Sequence, residues 1–596
     1  MHHPRTPGLW RRGPGPRRRW LLLAGLLLAC STTGEVAAEP PPEDLLARAG
    51  RDLSPLMRLL NAPTVPWEPG PQEDGRQLFA RFQAATVRAL AESHPTLAEE
   101  VGRPPATWAP DLRNLLVWGY LVRAYHQALP RTLQELVSLP TVAQGEALEV
   151  EPAAWRLFGD RVEQLCKAWG LRASRLEQGR VLAISTTLAA PARARPVTLV
   201  AVADTAPASP EGWKAPPFAG EVRDRRLVGR GAVTKGGLVA ALYALRAIQD
   251  AGLKLPAPVQ LLVVGTGERG RQRQVPLLPA KLLGPRHFIA VGAFPVTIGE
   301  RGQARLRIGA PPDTVATLPL EGSPGFKLLG ITRQPATPGD PQGWLAARLD
   351  PRDTPPGRAA TVIRRGLTLW AGQQSAWTGE VREEGDGTLR LELRPEAGAL
   401  PPLLSLLGGE LGVFPDSRGR LARFLAERVT AGPDGSRLGL QLTHPRFPPT
   451  ELQVLSWQED GTGEAWAELD VSWPPGLELP QLRERITAAA DELARAYRGT
   501  LRVSGHGASP HLLDSADPTS RSLLLSYTEA TRQEGLPLTA PRASAAKGLK
   551  TAPIFGPLGP NATWDPTQVN EELSVEQLLL AARLYTVALQ NLAAGR

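Results

Sequence analysis

The sequence predicts an α/β protein: a mostly parallel sheet, split by an inserted α+β domain and preceded by a helical extension. Three observations carry this reading. Short apolar runs alternate with a longer stretch at helical spacing between residues 181 and 291. That rhythm is lost from about 303 to 500, where Pro and Gly punctuate short strand patterns. It returns near 518 and closes on a long amphipathic helix.

The chain starts with a segment that reads as targeting rather than fold. Arg5, Arg11, Arg12, Arg17, Arg18 and Arg19 form a positive region with no acidic residue. Trp20 to Ala29 is apolar and too short to cross a bilayer as a helix. Leu27-Leu28-Ala29-Cys30 resembles a bacterial lipobox, in which the Cys is lipidated and becomes the new N-terminus. Leu28 is bulkier than the usual residue there. Ser31 after the Cys favours the outer membrane. Secretion with cleavage after Val36-Ala37-Ala38, or an uncleaved apolar patch, are the alternatives. Residues 1–29 are thus expected to be a signal peptide and 30–42 a flexible tether.

Helical patterns follow at about 43–60, 74–92 and 110–127, separated by Pro- and Gly-rich breaks. Residues 43–128 therefore read as a helical extension that serves packing, with no concentration of polar chemistry. Val181–Ser185, Val197–Ala203, Val259–Val264 and Phe288–Val291 are strand candidates. Leu238, Ala241, Leu242, Leu245 and Ile248 share one helix face. A further helix is expected at 479–497. The last runs from Ser574 to about Leu592, opened by the Ser574/Gln577 capping pair.

Composition narrows the function classes. The 596 residues carry a net charge of +9. Losing residues 1–29 removes six Arg and no acid, and leaves +3. The basic balance is thus a leader effect, and nucleic acid is not an expected partner. Two Cys exclude a disulfide framework; Cys166, on a predicted helix, reads as a buried thiol. Gly265-Thr266-Gly267-Glu268-Arg269-Gly270 follows a strand, but two Pro fall within the next ten residues and no acidic residue stands some twenty positions on, which argues against a dinucleotide site.

Several segments, in order, resemble the zinc metallopeptidase family of aminoacylase, carboxypeptidase G and dipeptidases. VTLVAVADTAP (197–207) resembles its strand ending in His-x-Asp. Trp213, Pro216-Pro217-Phe218 and LVGRGA (227–232) match its Trp…Pro-Pro-Phe…Gly-Arg-Gly-Ala stretch. VVGTGERG (263–270) stands where its Glu-Glu motif belongs. VGAFPVTIGERG (291–302), DSADPTSRSLLLSYTEAT (514–531), APIFGP (552–557) and NEELSVEQL (570–578) resemble its Xaa-His, or β-alanyl, dipeptidase branch. The resemblance implies a catalytic-type domain in two parts, 129–302 and 506–596, with an inserted lid domain at 303–505.

The resemblance also implies two zinc ions sharing a bridging carboxylate and water, a Glu base, an oxyanion-stabilising His and a carboxylate-gripping Arg in the lid. Position by position, most are replaced. The first His falls on Val202, and its orienting Asp is kept as Asp204. The bridging Asp falls on Thr234, with one residue missing before Lys235. The base falls on Gly267, and the neighbouring ligand Glu is kept as Glu268. The next ligand Asp falls on Val291 and the last His on Thr567. The oxyanion His falls on Leu391 and the gripping Arg on Ser472. The eight His are His2, His3, His94, His126, His287, His444, His506 and His511, and none occupies a mapped ligand position. His287 reads as a strand-edge residue, whereas His506 and His511 would reach a site from a loop.

The expectation is therefore an exported lipoprotein, anchored at the cell envelope through Cys30 and lacking the family's zinc cofactor. It would bind a peptide or peptidoglycan fragment, or act as a scaffold. Asp204 and Glu268 would hold a cation or amine, or pair with Arg230 or Lys235. A metal-dependent dipeptidase with a rebuilt site, and a purely structural envelope protein, are the other readings. So is a soluble periplasmic or secreted location.

Overall fold

The computed structural model describes residues 52–61, 73–144, 149–191, 194–265, 268–269, 272–273, 287–313 and 326–335. It also describes 337–596, apart from 338–339, 341, 372–376, 412, 461–462, 541–548, 550–551, 557 and 559–567. The chain divides into two compact units, Met1–Ser54 and Pro55–Arg596, and the sites described below lie in the second.

The main sheet is built around Val197–Val202, whose six residues are all buried. Burial on both faces selects this continuous apolar run. His287–Val291 and Val259–Val264 flank it in parallel, and Ile554–Phe555 continues the parallel set beyond His287–Val291. On the other side, Val181–Ser185 and Arg172–Leu176 add antiparallel strands. Thr297–Glu300 closes the far side and takes the short strands His511–Leu512 and Leu538–Ala540. Parallel pairing is thus concentrated at the buried centre of the sheet.

Helix Ala232–Asp250 lies against this sheet, with nearly every residue buried. Beside it packs Val575–Ala593, which opens with the expected Ser574/Gln577 capping box. Gly231 precedes the first helix at φ +87, where a Cβ would meet the Thr205 side chain at 2.4 Å. Only glycine allows this left-handed turn so close to the end of the central strand. The turn brings the helix N-terminus to the C-terminal edge of the sheet.

The lid holds two four-stranded antiparallel sheets. One runs in the order 451–459, 465–473, 302–310 and 502–508. The other runs 327–334, 344–350, 389–394 and 378–383. These strands have six to nine residues, longer than the Pro and Gly punctuation suggested. Strand Arg502–Ala508 carries the lid sheet past residue 505. Only Arg301 separates the last residue of the main-sheet strand, Glu300, from the first lid strand at Gly302. The buried Arg301 guanidinium donates to the Pro449 and Ser472 carbonyls, which ties this passage to the lid.

The helical extension continues through Ala128–Val137, beyond the expected boundary at 128. It also carries polar chemistry that the sequence reading did not assign. The Tyr125 and Tyr120 hydroxyls donate to Asp250 Oδ2 at 2.6 and 3.0 Å. Arg246 lies 3.8 Å from the same carboxylate and 4.0 Å over the Tyr125 ring. Burial raises the Asp250 carboxyl above its ordinary value, against the opposing pull of Arg246 and both tyrosines. A carboxyl raised by folding binds its proton more tightly in the folded chain. Its contribution is complete below the unfolded value of about 3.9 and is lost as pH rises through the folded value. Asp250→Asn removes this decline. The stability of the variant relative to wild type should therefore improve from about pH 4 to pH 7 in paired denaturant titrations.

Cys166 lies buried on helix Pro152–Ala168, and burial pushes its thiol up to about 12. In a Cys30→Ala chain, this remaining thiol should be inert to an aromatic disulfide reagent until denaturant is added. Stoichiometric reaction of the native chain would contradict this placement. Among the described residues, no helix is long and apolar enough to cross a membrane.

Candidate functional site

Two of the mapped positions, Val202 and Val291, stand at the C-terminal edge of the main sheet, where open α/β folds place their ligands. Val202 ends the central strand and is 4% exposed. It packs in an apolar cluster with Val181, Val200, Leu262, Val264, Phe288, Leu549 and Ala552. Val291 ends the neighbouring strand and is 5% exposed. Its Cγ1 lies 2.6 Å from where a Cβ on Gly237 would be, so the glycine is what lets the valine pack on the helix. Two expected ligand positions have thus become core.

Charged residues at this edge form a buried internal network. Glu571 is 1% exposed and accepts from the Gly231 and Val233 amides at 2.9 and 3.0 Å. This carboxylate satisfies free N–H groups at the start of helix Ala232–Asp250. The Arg230 guanidinium lies 3.5 Å from it, with both side chains almost wholly buried, and sits 5.1 Å over the Trp213 ring. Lys235 is fully buried and donates to the Leu136 and Leu139 carbonyls at 2.9 and 2.7 Å. Burial lowers its ammonium to about 7, opposed by the charges of Glu571 and Asp204. Asp204 is itself fully buried. The chain around it is clamped: Ala203 N donates to Val264 O, and Thr205 N to Thr141 O, both at 2.9 Å. The sequence reading gave Glu571 no role. Its place in an Asn-Glu-Glu run before a helix start was the available signal.

The remaining positions do not gather into a site. Thr234 is half-buried in the first turn of its helix. Leu391 is fully buried in the lid core and faces Ala347 and Val381 across its neighbouring strands. Ser472 pairs with Gln303 and Glu451, and its carbonyl accepts from Arg301. Glu268 lies on a two-residue strand paired with Gln272–Arg273. Its side chain, Gly267, Thr567 and Cys30 fall outside the described residues. His506 and His511 stand on strands, not on a loop. His506 is exposed opposite Arg305. His511 places Nδ1 3.8 Å from the fully buried Glu300 carboxylate. His287 begins its strand, with Nδ1 3.1 Å from Thr519 Oγ1.

A zinc pair does not fit this arrangement. Each ion needs several nitrogen, sulfur or carboxylate donors, and valine supplies none. Among the described residues, no group of three or more His, Cys, Asp or Glu comes together to hold a metal. Arg230 supplies fixed positive charge beside Glu571 instead, and Lys235 adds a charge toward Glu571 and Asp204 that burial makes titratable near pH 7.

Next to this edge lies a cavity of about 340 Å³. Val150, Trp155, Arg156, Arg175, Arg180 and Gly265 are among the residues lining it. Trp155 is fixed by Nε1, which donates to Gly179 O at 2.6 Å. Arg175 is held by Glu163 at 2.9 Å and Asp160 at 2.5 Å.

Residues 203–591, well over half of the chain, match the model of peptidase family M20/M25/M40. The chain belongs to this family. A putative dipeptidase of Bacillus subtilis, YtjP, is 21% identical over 412 residues, covering 64% of this chain and 80% of that protein. The mouse N-fatty-acyl-amino acid synthase/hydrolase PM20D1 is 27% identical over 237 residues, covering 35% of this chain and 46% of that protein. The solved structure of human carnosine dipeptidase 1 superposes with a TM-score of 0.49 and 13% identity, covering 80% of this chain and 98% of that one. The chain is thus a dipeptidase-like M20 protein in which the mapped site residues Val202 and Val291 belong to the core.

Proposed function

We propose that this M20 chain is a zinc-free relative of the dipeptidases that binds peptides, or serves as a scaffold, at the cell envelope. One observation carries the reading. Two of the five positions that would hold metal, Val202 and Val291, are packed into the core, beside a buried network of Glu571, Arg230, Lys235 and Asp204. With Gly267 at the base position, the mapped site also has no side chain there to activate water.

The cavity beside Trp155 supports the binding role. Its indole and guanidinium groups suit the carboxylate and apolar side chain of a short peptide. Export through residues 1–29 and lipidation of Cys30 would place this cavity at the envelope, with the outer membrane favoured by Ser31.

The test combines a dipeptide hydrolysis assay with a thermal-shift screen of dipeptides and peptidoglycan fragments. The reading expects no turnover and a shift with at least one peptide. That shift should be reduced in Arg156→Gln. Turnover that is lost in Glu268→Ala would instead establish a rebuilt metal-dependent site. No shift at millimolar ligand would leave a structural envelope protein. Mass analysis tests the anchor: Cys30→Ala should be unlipidated and soluble, and a mature N-terminus at Glu39 would rule the anchor out.

A further inference from the structure

A second basic site lies where three helices meet. Arg583, on helix Val575–Ala593, stacks its guanidinium 3.6 Å from the ring centroid of Trp118, on helix Pro110–Tyr125. Arg583 is half-buried, and its Nε is buried without a hydrogen-bond partner. No carboxylate pairs with it among the described residues. Its charged neighbour is Arg532, which caps helix Pro518–Thr531 in the left-handed conformation at φ +61. Arg532 is exposed, and its Nη2 donates to the Met57 thioether at 3.0 Å rather than to an acid.

Acids close in sequence do not neutralise the pair. Glu529, three residues before Arg532, is committed to Arg596 at 2.9 Å and accepts from Asn114 and Asn591. Glu534 is exposed and makes no ion pair among the described residues. Many arginines of this chain hold a carboxylate within 4.0 Å, including Arg175, Arg230, Arg394 and Arg420. Arg583 and Arg532 hold none among the described residues and depart from that habit. A guanidinium drawn out of water costs stability unless an anion compensates it.

We propose that Arg583 and Arg532 form an oxyanion site, with Trp118 as its stacking platform, that takes a phosphate group. Guanidinium forks match the oxygens of phosphate in planar, two-point hydrogen bonds. Stacking on Trp118 holds the first fork still, while the exposed Arg532 closes over the anion from the helix end. The phosphate comes either from a free solute or from an anionic lipid headgroup.

The experiment compares thermal unfolding in 10 mM inorganic phosphate with unfolding in chloride of equal ionic strength. It adds co-sedimentation with phosphatidylglycerol and phosphatidylcholine vesicles. The variants are Arg532→Gln, a surface change that leaves packing intact, and Arg583→Met, which keeps the bulk of the stem. A phosphate-specific rise of about 1–2 °C in wild type, absent from both variants, supports a soluble ligand. Selective binding to phosphatidylglycerol vesicles, lost in both variants, supports a headgroup. Equal unfolding temperatures in phosphate and chloride with no vesicle binding would overturn the proposal. So would a response that persists in Arg583→Met.

Discussion

Glu571→Ala should destabilise the fold by about 3–5 kcal/mol, more than an ordinary surface change by a wide margin. The carboxylate does three things at once. It accepts from the Gly231 and Val233 amides, faces the Arg230 guanidinium at 3.5 Å, and lies close enough to Lys235 to oppose the effect of burial. Alanine leaves two helix-start amides without their acceptor, the buried Arg230 without its countercharge, and Lys235 with Asp204 alone. Glu571→Gln keeps an acceptor for the amides and loses only the charge, so its cost should be smaller. Denaturant titration of the three proteins checks this order. A loss below about 1 kcal/mol in Glu571→Ala would mean that the network does not hold this edge of the sheet together.

The second large effect is expected where the ligand types are put back. Val202→His and Val291→Asp restore the residues that the family resemblance implies, yet each should cost about 3 kcal/mol or more and bring no zinc. Val202 is packed among seven buried apolar residues, and Val291 presses on the helix at Gly237. A carboxylate at 291 would replace a methyl group that now rests against helix backbone. An imidazole at 202 would put ring nitrogens into the apolar cluster. The unfolding midpoint and zinc content of each single variant and of the pair provide the check. A double variant that purifies with zinc at wild-type stability would show that the site is only one step from being functional.

Much of the main sheet was legible because its signals are local. Val181–Ser185 and Val259–Val264 are apolar runs bounded by Gly, Pro or polar residues, and their strands have those limits. The C-terminal helix announced its start through Ser574 and Gln577. The lid strands were harder to read because their length comes from pairing between distant segments, such as 302–310 with 465–473 and 502–508. Sequence periodicity does not report that pairing.

At the candidate site, the replacements were readable as residue types: Val202, Val291 and Gly267 cannot do the chemistry of His, Asp and Glu. What replaced them was not readable. The contact of Glu571 with Arg230 joins residues far apart in sequence, as does that of Asp250 with Tyr120 and Tyr125. A buried carboxylate looks the same in sequence as a solvated one, and only its neighbours distinguish them.

The central claim is that internal cations, not zinc, neutralise the carboxylates at the C-terminal edge of this sheet. The most direct measurement is the zinc content per chain of the protein purified without chelator and equilibrated with excess zinc, then freed of unbound metal. The structure predicts a value near zero, with an unfolding temperature unchanged by EDTA. One or two zinc ions per chain, released by EDTA together with a loss of stability, would contradict it.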